Sequence, residues 1–236
     1  METTINEIAD GVFRLSTFVP DANIMFNQFV VEAEQPLLFH TGPRGLFPLV
    51  SEAVARVVPL DELRWITFGH VEADECGAMN RFLAAAPDAT VAHGAIACIV
   101  QVNDLADRTP HPLADGEVVD LGGRQVRNID TPHIPHGWDA HVIYEERTRT
   151  LFCGDLFTRF GESEPTTTAD IVEAALAAES FGAPTALTTS TASTIRQLSQ
   201  LDIATLALMH GPAYQGDCSK ALLELAEGYA LLCDPA

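Results

Sequence analysis

WITFGHVEADECGAMNRFL, residues 65–83, decides how the rest of the chain is read. A β-branched and aromatic run (65–68) passes through Gly69 directly into His70, Glu72, Asp74 and Glu75, all able to bind a cation. In an extended segment positions 70, 72 and 74 face one way, so an imidazole and two carboxylates can converge on one ion. Behind them, residues 75–86 carry the i, i+3, i+4 apolar spacing of a helix that closes at Pro87. The plainer reading is an acidic helix start in which Asp74 or Glu75 acts as a cap. That accounts for one or two acids, but not for His70.

Working outward, three more strand-like runs end in a residue of the same kind. NIDTP leads to His133-Ile134-Pro135-His136, TLFCG ends on Asp155, and TLALM ends on His210. Ligands gather where loops leave the carboxyl ends of strands, so four such endings point to one shared centre. The donors are imidazoles and carboxylates without a thiolate. Structural zinc favours closed sets rich in Cys or His, whereas carboxylate-rich sets with imidazole suit iron or manganese. Six candidates, His70, Glu72, Asp74, His133 or His136, Asp155 and His210, exceed what one open ion needs and suit two ions sharing a carboxylate.

Strands are expected at 12–18, 27–33, 36–40, 63–68, 90–94, 116–123, 124–130, 140–146, 149–154 and 204–211. Gly122-Gly123 marks a two-residue hairpin turn, and a second hairpin joins 140–146 to 149–154. Helical spacing covers 46–57, 75–86, 168–178 with Thr168 as cap, 191–199 and 218–232. The order repeats strands and helices twice, predicting two mixed sheets with outer helices. The fold class expected is α/β, a four-layer αββα sandwich, in one domain over 1–236.

Bulk properties narrow the function. Acids outnumber bases by 33 to 13, for a formal charge of −20. Such a surface repels phosphate backbones and anionic lipid, so neither nucleic acid nor membrane is expected as a partner. No stretch reaches the ~20 apolar residues of a spanning helix, and METTINEIADGVFRL has acids where a signal peptide has bases. Five scattered cysteines without a CxxC pair suit a reducing compartment. A cytoplasmic location is expected.

The ordered motifs resemble the metallo-β-lactamase superfamily, whose HxHxDH is followed by a His, an Asp and a last His at strand ends. Here the motif reads His70-x-Glu72-x-Asp74-Glu75. This HxExD form resembles the di-iron domain of flavodiiron proteins and related stand-alone oxygen-binding domains, from NQFVVEA and LLFHTGPRG through to FCGDLF and LMHGP. The resemblance implies one iron on His70, Glu72 and His136, a second on Asp74 and His210, and Asp155 bridging both. The family's hairpin-length spacing before the bridging Asp selects His136. His133 then falls on the incoming strand, as a residue supporting a ligand or lining the pocket. Glu75 stands where the superfamily has a His, and three roles are open to it: ligand, partner of a metal-bound water, or helix cap.

The resemblance further implies dioxygen or nitric oxide as the substrate and a possible homodimer. A flavodoxin-like domain and FMN are not expected in this chain, so electrons would come from a separate flavoprotein or a rubredoxin-like donor. Without a donor the same site would sense or store oxygen. A second reading is metal-dependent hydrolysis of a thioester, ester or lactam with zinc, which Glu72 disfavours by lowering the site's positive charge. A third is a non-catalytic module with structural metals. Of the other histidines, His40 and His93, at strand ends, read as structural or as lining the pocket, and His111 as an exposed loop residue. Cys76 and Cys153 read as buried thiols, and Trp138, Phe157, Phe160 and Tyr214 as pocket walls or core.

Overall fold

The computed structural model describes residues 1–233. Seven strands, β1 (Thr3–Ala9), β2 (Val12–Val19), β3 (Ile24–Val31), β4 (Leu37–Phe39), β5 (Trp65–Thr67), β6 (Thr90–Gly94) and β7 (His111–Leu113), lie side by side in chain order. A second sheet has the order β12 (Thr166–Thr167), β14 (Ala213–Tyr214), β13 (Thr205–Ala207), β11 (Thr150–Phe152), β10 (His141–Glu145), β9 (Gln125–Asp130), β8 (Val118–Asp120). Both sheets are mixed: β4, β5, β6 and β7 run parallel, as do β11 with β13 and β12 with β14, and the remaining neighbours are antiparallel.

Period-two patterning explains why the sheets stack. Along β3 and β4, Phe29, Val31, Leu37 and Phe39 face inward, where they meet Ile143, Phe152 and Ala207 of the other sheet. Alternate residues Val30 and Leu38 face outward onto the helices α1 (Phe47–Ala55) and α3 (Met79–Ala85). In the second sheet Val142, Tyr144 and Leu151 pack outward on α6 (Val172–Ala178), α7 (Thr191–Leu198) and α8 (Cys218–Cys233). Strands apolar on both faces must be covered on both, and the result is the expected αββα order. Phe152 sits at the centre, with ring centroids 5.4 Å from Phe29 and 5.2 Å from Phe39.

Polar groups stitch the sheets together at the site's end. Asn27 of β3 donates its amide to the carbonyls of Leu208 and Gly211, both at 2.7 Å, and buried Arg14 donates to Gly211 at 2.9 Å. These bonds fix the segment carrying His210 against the opposite sheet. The Gly122-Gly123 turn has positive φ at both residues and closes Asp120 against Gln125, as its sequence predicts.

Several local expectations need correction. The run 75–86 is not one helix. A short helix α2 (Ala73–Cys76) precedes α3, because the amide of Ala78 bonds the carbonyl of Gly42 at 3.0 Å and leaves the helical ladder. Helix α6 starts at Val172, not at a Thr168 cap; the carboxylate of Asp170 accepts from the Val172 amide at 2.7 Å. His111 lies in edge strand β7, not in a loop. Strand β1 and the helical stretch α4 (Ala95–Ala97), π turn (Cys98–Val102) and α5 (Asn103–Leu105) were outside the sequence expectation. That stretch places Ile96, Ile99 and Val100 on the surface, so its apolar pattern is not that of a buried helix. No helix among the described residues is long and apolar enough to cross a membrane.

Candidate metal centre

The carboxyl end of β5 delivers Gly69 and His70. The chain stays extended through Glu72 (φ −138°, ψ 156°) and then turns into α2, so Asp74 sits in the first helical turn instead of in an extended run. This geometry sends the three residues to two places. Glu72 Oε2 lies 2.8 Å from His70 Nε2 and 2.8 Å from His136 Nε2. Asp74 Oδ2 instead lies 3.3 Å from His210 Nε2.

The other side chains arrive from the second sheet. His136 leaves the loop between β9 and β10, which is tied to the first sheet where Asp139 accepts from the Val71 amide at 2.9 Å. Parallel β11 and β13 extend their ladder past the strand ends, with Cys153 N–H to Ala207 at 3.0 Å and Met209 N–H to Gly154 at 3.0 Å. Asp155 and His210 therefore emerge side by side. Asp155 divides its oxygens: Oδ2 is 3.6 Å from His136 Nε2 and 3.9 Å from His70 Nε2, whereas Oδ1 is 3.3 Å from His210 Nε2. All six residues thus meet in one place, in two halves that share Asp155.

His133 does not join them. Strand β9 ends at Asp130, so His133 lies in the loop and not on the incoming strand; its side chain is exposed. Glu75 is fully buried and points to the far side of His70. Its Oε2 accepts from the His70 amide at 2.6 Å, while Oε1 stands 3.2 Å from His70 Nδ1 and 3.4 Å from His40 Nε2. It is not the side-chain cap of α2 either, since that helix start has none.

The fit to metal ions can be judged from the donors themselves. Ligand atoms of His70, Glu72, His136 and Asp155 all lie within 4.8 Å of one another. Metal–ligand bonds of about 2.0–2.2 Å put neighbouring ligands roughly 3.0–3.5 Å apart, close to most of the separations above. Asp74 Oδ1 and Asp155 Oδ1 are buried without a hydrogen-bond partner among the described residues, a costly state unless something else satisfies them. Charge tells the same story. Burial alone would lower the His70 pKa, but the carboxylates of Glu75, Glu72 and Asp155 raise it to about 11. Burial likewise opposes, and Asp155 and Asp74 overcome it, in lifting His210 to about 10. Hydrogen bonding to Glu72 raises His136, and the bonds from His136 and His70 hold the Glu72 carboxyl far below its usual range. A site this rich in carboxylate draws positive charge; where no cation supplies it, protons do.

Nδ1 of His210 donates to the Met25 carbonyl at 2.7 Å, which leaves Nε2 facing the two aspartates. Metal-binding imidazoles are oriented in this way. A cavity of about 180 Å³ opens beside the six residues. Of the four aromatics read as pocket wall or core, Phe160 lines it, Trp138 borders a neighbouring cavity, and Phe157 and Tyr214 belong to the core. Phe181, Glu179, Thr185 and Tyr229 also line it, and sequence reading missed them. Tyr229 carried a signal: with Leu222, Leu225 and Ala226 it forms the buried stripe of α8. Burial raises the thiols of Cys76 (to about 12) and Cys153, keeping both protonated and inert.

A sequence model described as ODP family β-lactamase matches residues 24–211, from β3 to just beyond His210. An anaerobic nitric oxide reductase flavorubredoxin of Pectobacterium carotovorum is 25% identical over 135 residues, covering 56% of this chain but 27% of that protein. The chain thus spans about a quarter of that curated relative's length. Rubredoxin oxygen:oxidoreductase of Desulfovibrio gigas superposes with a TM-score of 0.80 at 17% identity, over 95% of this chain and 62% of that one. A metal-soaked flavodiiron core from Synechocystis gives 0.78 at 21% identity, over 98% and 61%. At these identities the structural likeness establishes the fold.

Proposed function

The chain belongs to the ODP family of the β-lactamase fold, and from that premise we propose that it holds two iron ions and uses them to bind and reduce dioxygen or nitric oxide. The observation that carries the reading is the divided carboxylate of Asp155, one oxygen toward His70 and His136 and the other toward His210. A carboxylate shared in this way suits a pair of ions held a few ångströms apart. His70, Glu72 and His136 would hold one ion, Asp74 and His210 the other, and Asp155 both.

Two ferrous ions held by these residues would supply two electrons to a small diatomic molecule. The protein's own part is to position and to exclude. Glu75 and the Met25 carbonyl set the ring orientations of His70 and His210, so that both Nε2 atoms face the centre. Phe160 and Phe181, tilted against each other with ring centroids 5.3 Å apart, put apolar surface on the cavity wall. Tyr229 and Thr185 are hydrogen-bonded to each other at 3.3 Å and put two hydroxyl groups on the cavity wall.

Similar proteins are named for the reduction of nitric oxide and for oxygen, and electrons would come from a separate flavoprotein or rubredoxin-like donor. The test is a single turnover. Reduced, iron-loaded protein mixed with one equivalent of oxygen should develop near-ultraviolet ferric absorption once and then stop, and resume only when a flavoprotein and its reductant are added. Inertness toward both oxygen and nitric oxide, combined with brisk cleavage of a thioester or lactam by the zinc form, would replace this reading with the hydrolase one.

A further inference from the structure

Glu75 occupies the place where the superfamily's motif carries a histidine, and its geometry gives it a different task. The carboxylate is completely buried. Its Oε2 accepts from the His70 amide at 2.6 Å, while Oε1, which has no hydrogen bond of its own among the described residues, lies 3.2 Å from His70 Nδ1 and 3.4 Å from His40 Nε2. The backbone leaves room for it, since a Cβ on Gly69 would stand 3.1 Å from both Glu75 oxygens and one on Gly154 would stand 3.4 Å from Oε1. His40 itself is anchored by Nδ1 against the Asn27 carbonyl at 3.3 Å. Swinging Glu75 out toward Asp74 and His210 would break every one of these contacts.

We propose that Glu75 is a positioning residue for His70 and not a metal ligand, and that the two halves of the centre are unequal in consequence. This rests on the two-ion reading above. One half has four donors, His70, Glu72, His136 and Asp155. The other has three, Asp74, His210 and the second oxygen of Asp155. The four-donor half takes the first ion and retains it. The three-donor half takes the second ion more weakly, exchanges it more readily and leaves more positions open to a small ligand. Glu75 strengthens the first half because its Oε1 charge, 3.2 Å from His70 Nδ1, favours the proton on Nδ1 and leaves the Nε2 lone pair toward the ion. Partners of this kind contribute about 10–100-fold to metal affinity.

Ferrous iron titrated anaerobically into the metal-free full chain, followed by native mass spectrometry, reads the loading order directly. At one equivalent the one-iron species should dominate, and at excess the two-iron species, with dissociation constants at least about tenfold apart. Asp74→Ala should abolish only the second step. Glu75→Gln retains the size of the side chain but turns an amide toward His70, either placing a donor against Nδ1 or losing the bond from the His70 amide. It should weaken the first step by about 10–100-fold and leave the second within about threefold. Glu75→Asp, which keeps the charge, should recover part of the first-step loss. If Glu75→Gln instead removed the second ion and spared the first, Glu75 would be a ligand and the proposal would fall. If wild type passed directly from no iron to two, the halves would be equal and the proposal would fall while the two-ion reading survived. If wild type never took more than one ion at excess, the two-ion reading itself would fail.

Discussion

Replacing Asp155 by Asn keeps the side chain's size but leaves one oxygen where two stood. In the native chain Oδ1 faces His210 and Oδ2 faces His70 and His136, so the amide nitrogen must take one of these positions. There it presents N–H donors toward an ion instead of a lone pair. A closed four-ligand zinc site is worth about 10–16 kcal/mol in small domains, so one ligand carries roughly 3 kcal/mol, or about two orders of magnitude in affinity. At an iron concentration that just saturates wild type, Asp155→Asn should therefore hold one iron per chain. Asp155→Ala, which withdraws both oxygens, should weaken both ions by about two orders of magnitude. The assay is anaerobic reconstitution, desalting and elemental analysis, with circular dichroism verifying that each variant is folded. Two irons retained by Asp155→Asn at wild-type affinity would refute the bridging role, whatever else the centre does.

Other expectations follow from the same geometry. His136→Ala should lose at least one iron and His133→Ala neither, because only His136 approaches Glu72 and Asp155; metal contents in the reverse order would overturn the assignment in that loop. Metal uptake should release protons at neutral pH. His70 and His210, raised to about 11 and about 10 in the metal-free protein, are protonated there and must lose a proton to bind. Apparent affinity should then rise as pH increases from 6 to 9, roughly speaking, because fewer protons compete; calorimetric titrations in buffers of different ionisation enthalpy measure the release, and none would contradict the charge argument. Phe152→Ala should cost about 3–5 kcal/mol in urea unfolding, since the ring is fully buried between Phe29 and Phe39. A loss below about 1 kcal/mol would mean the two sheets are not packed through it.

Much of this centre was legible because strands advertise themselves by alternation and ligands follow them without an intervening loop. His70, Asp155 and His210 each come one to three residues after an apolar run, and β5, β11 and β13 place them accordingly. The split between Asp74 and Glu72 was implied by the family resemblance but not by the alternation of residues 70, 72 and 74, which put all three on one face. It depends on α2 beginning at Ala73, and α2 is separated from α3 by the bond from Ala78 to Gly42, a tertiary contact that no local pattern records. The role of Glu75 was hidden for a similar reason: in sequence it is one more acid, and only the burial of His40 and the absence of a side chain at Gly69 make an inward place for it. Strand β1 was not anticipated because TTINEIA mixes polar and apolar residues, as an edge strand with one covered face does. The cavity wall from Glu179, Phe181 and Thr185 comes from a loop far from any ligand in sequence, so nothing in its composition tied it to the site.

The most direct test of two ions about one shared carboxylate is diffraction from crystals of the iron-loaded protein, grown without oxygen and measured at the iron absorption edge. Two anomalous peaks should flank Asp155, one near Nε2 of His70 and His136 and the other near Asp74 and Nε2 of His210, with Glu75 bound to neither. A single peak, or two peaks that Asp155 does not separate, would contradict the account.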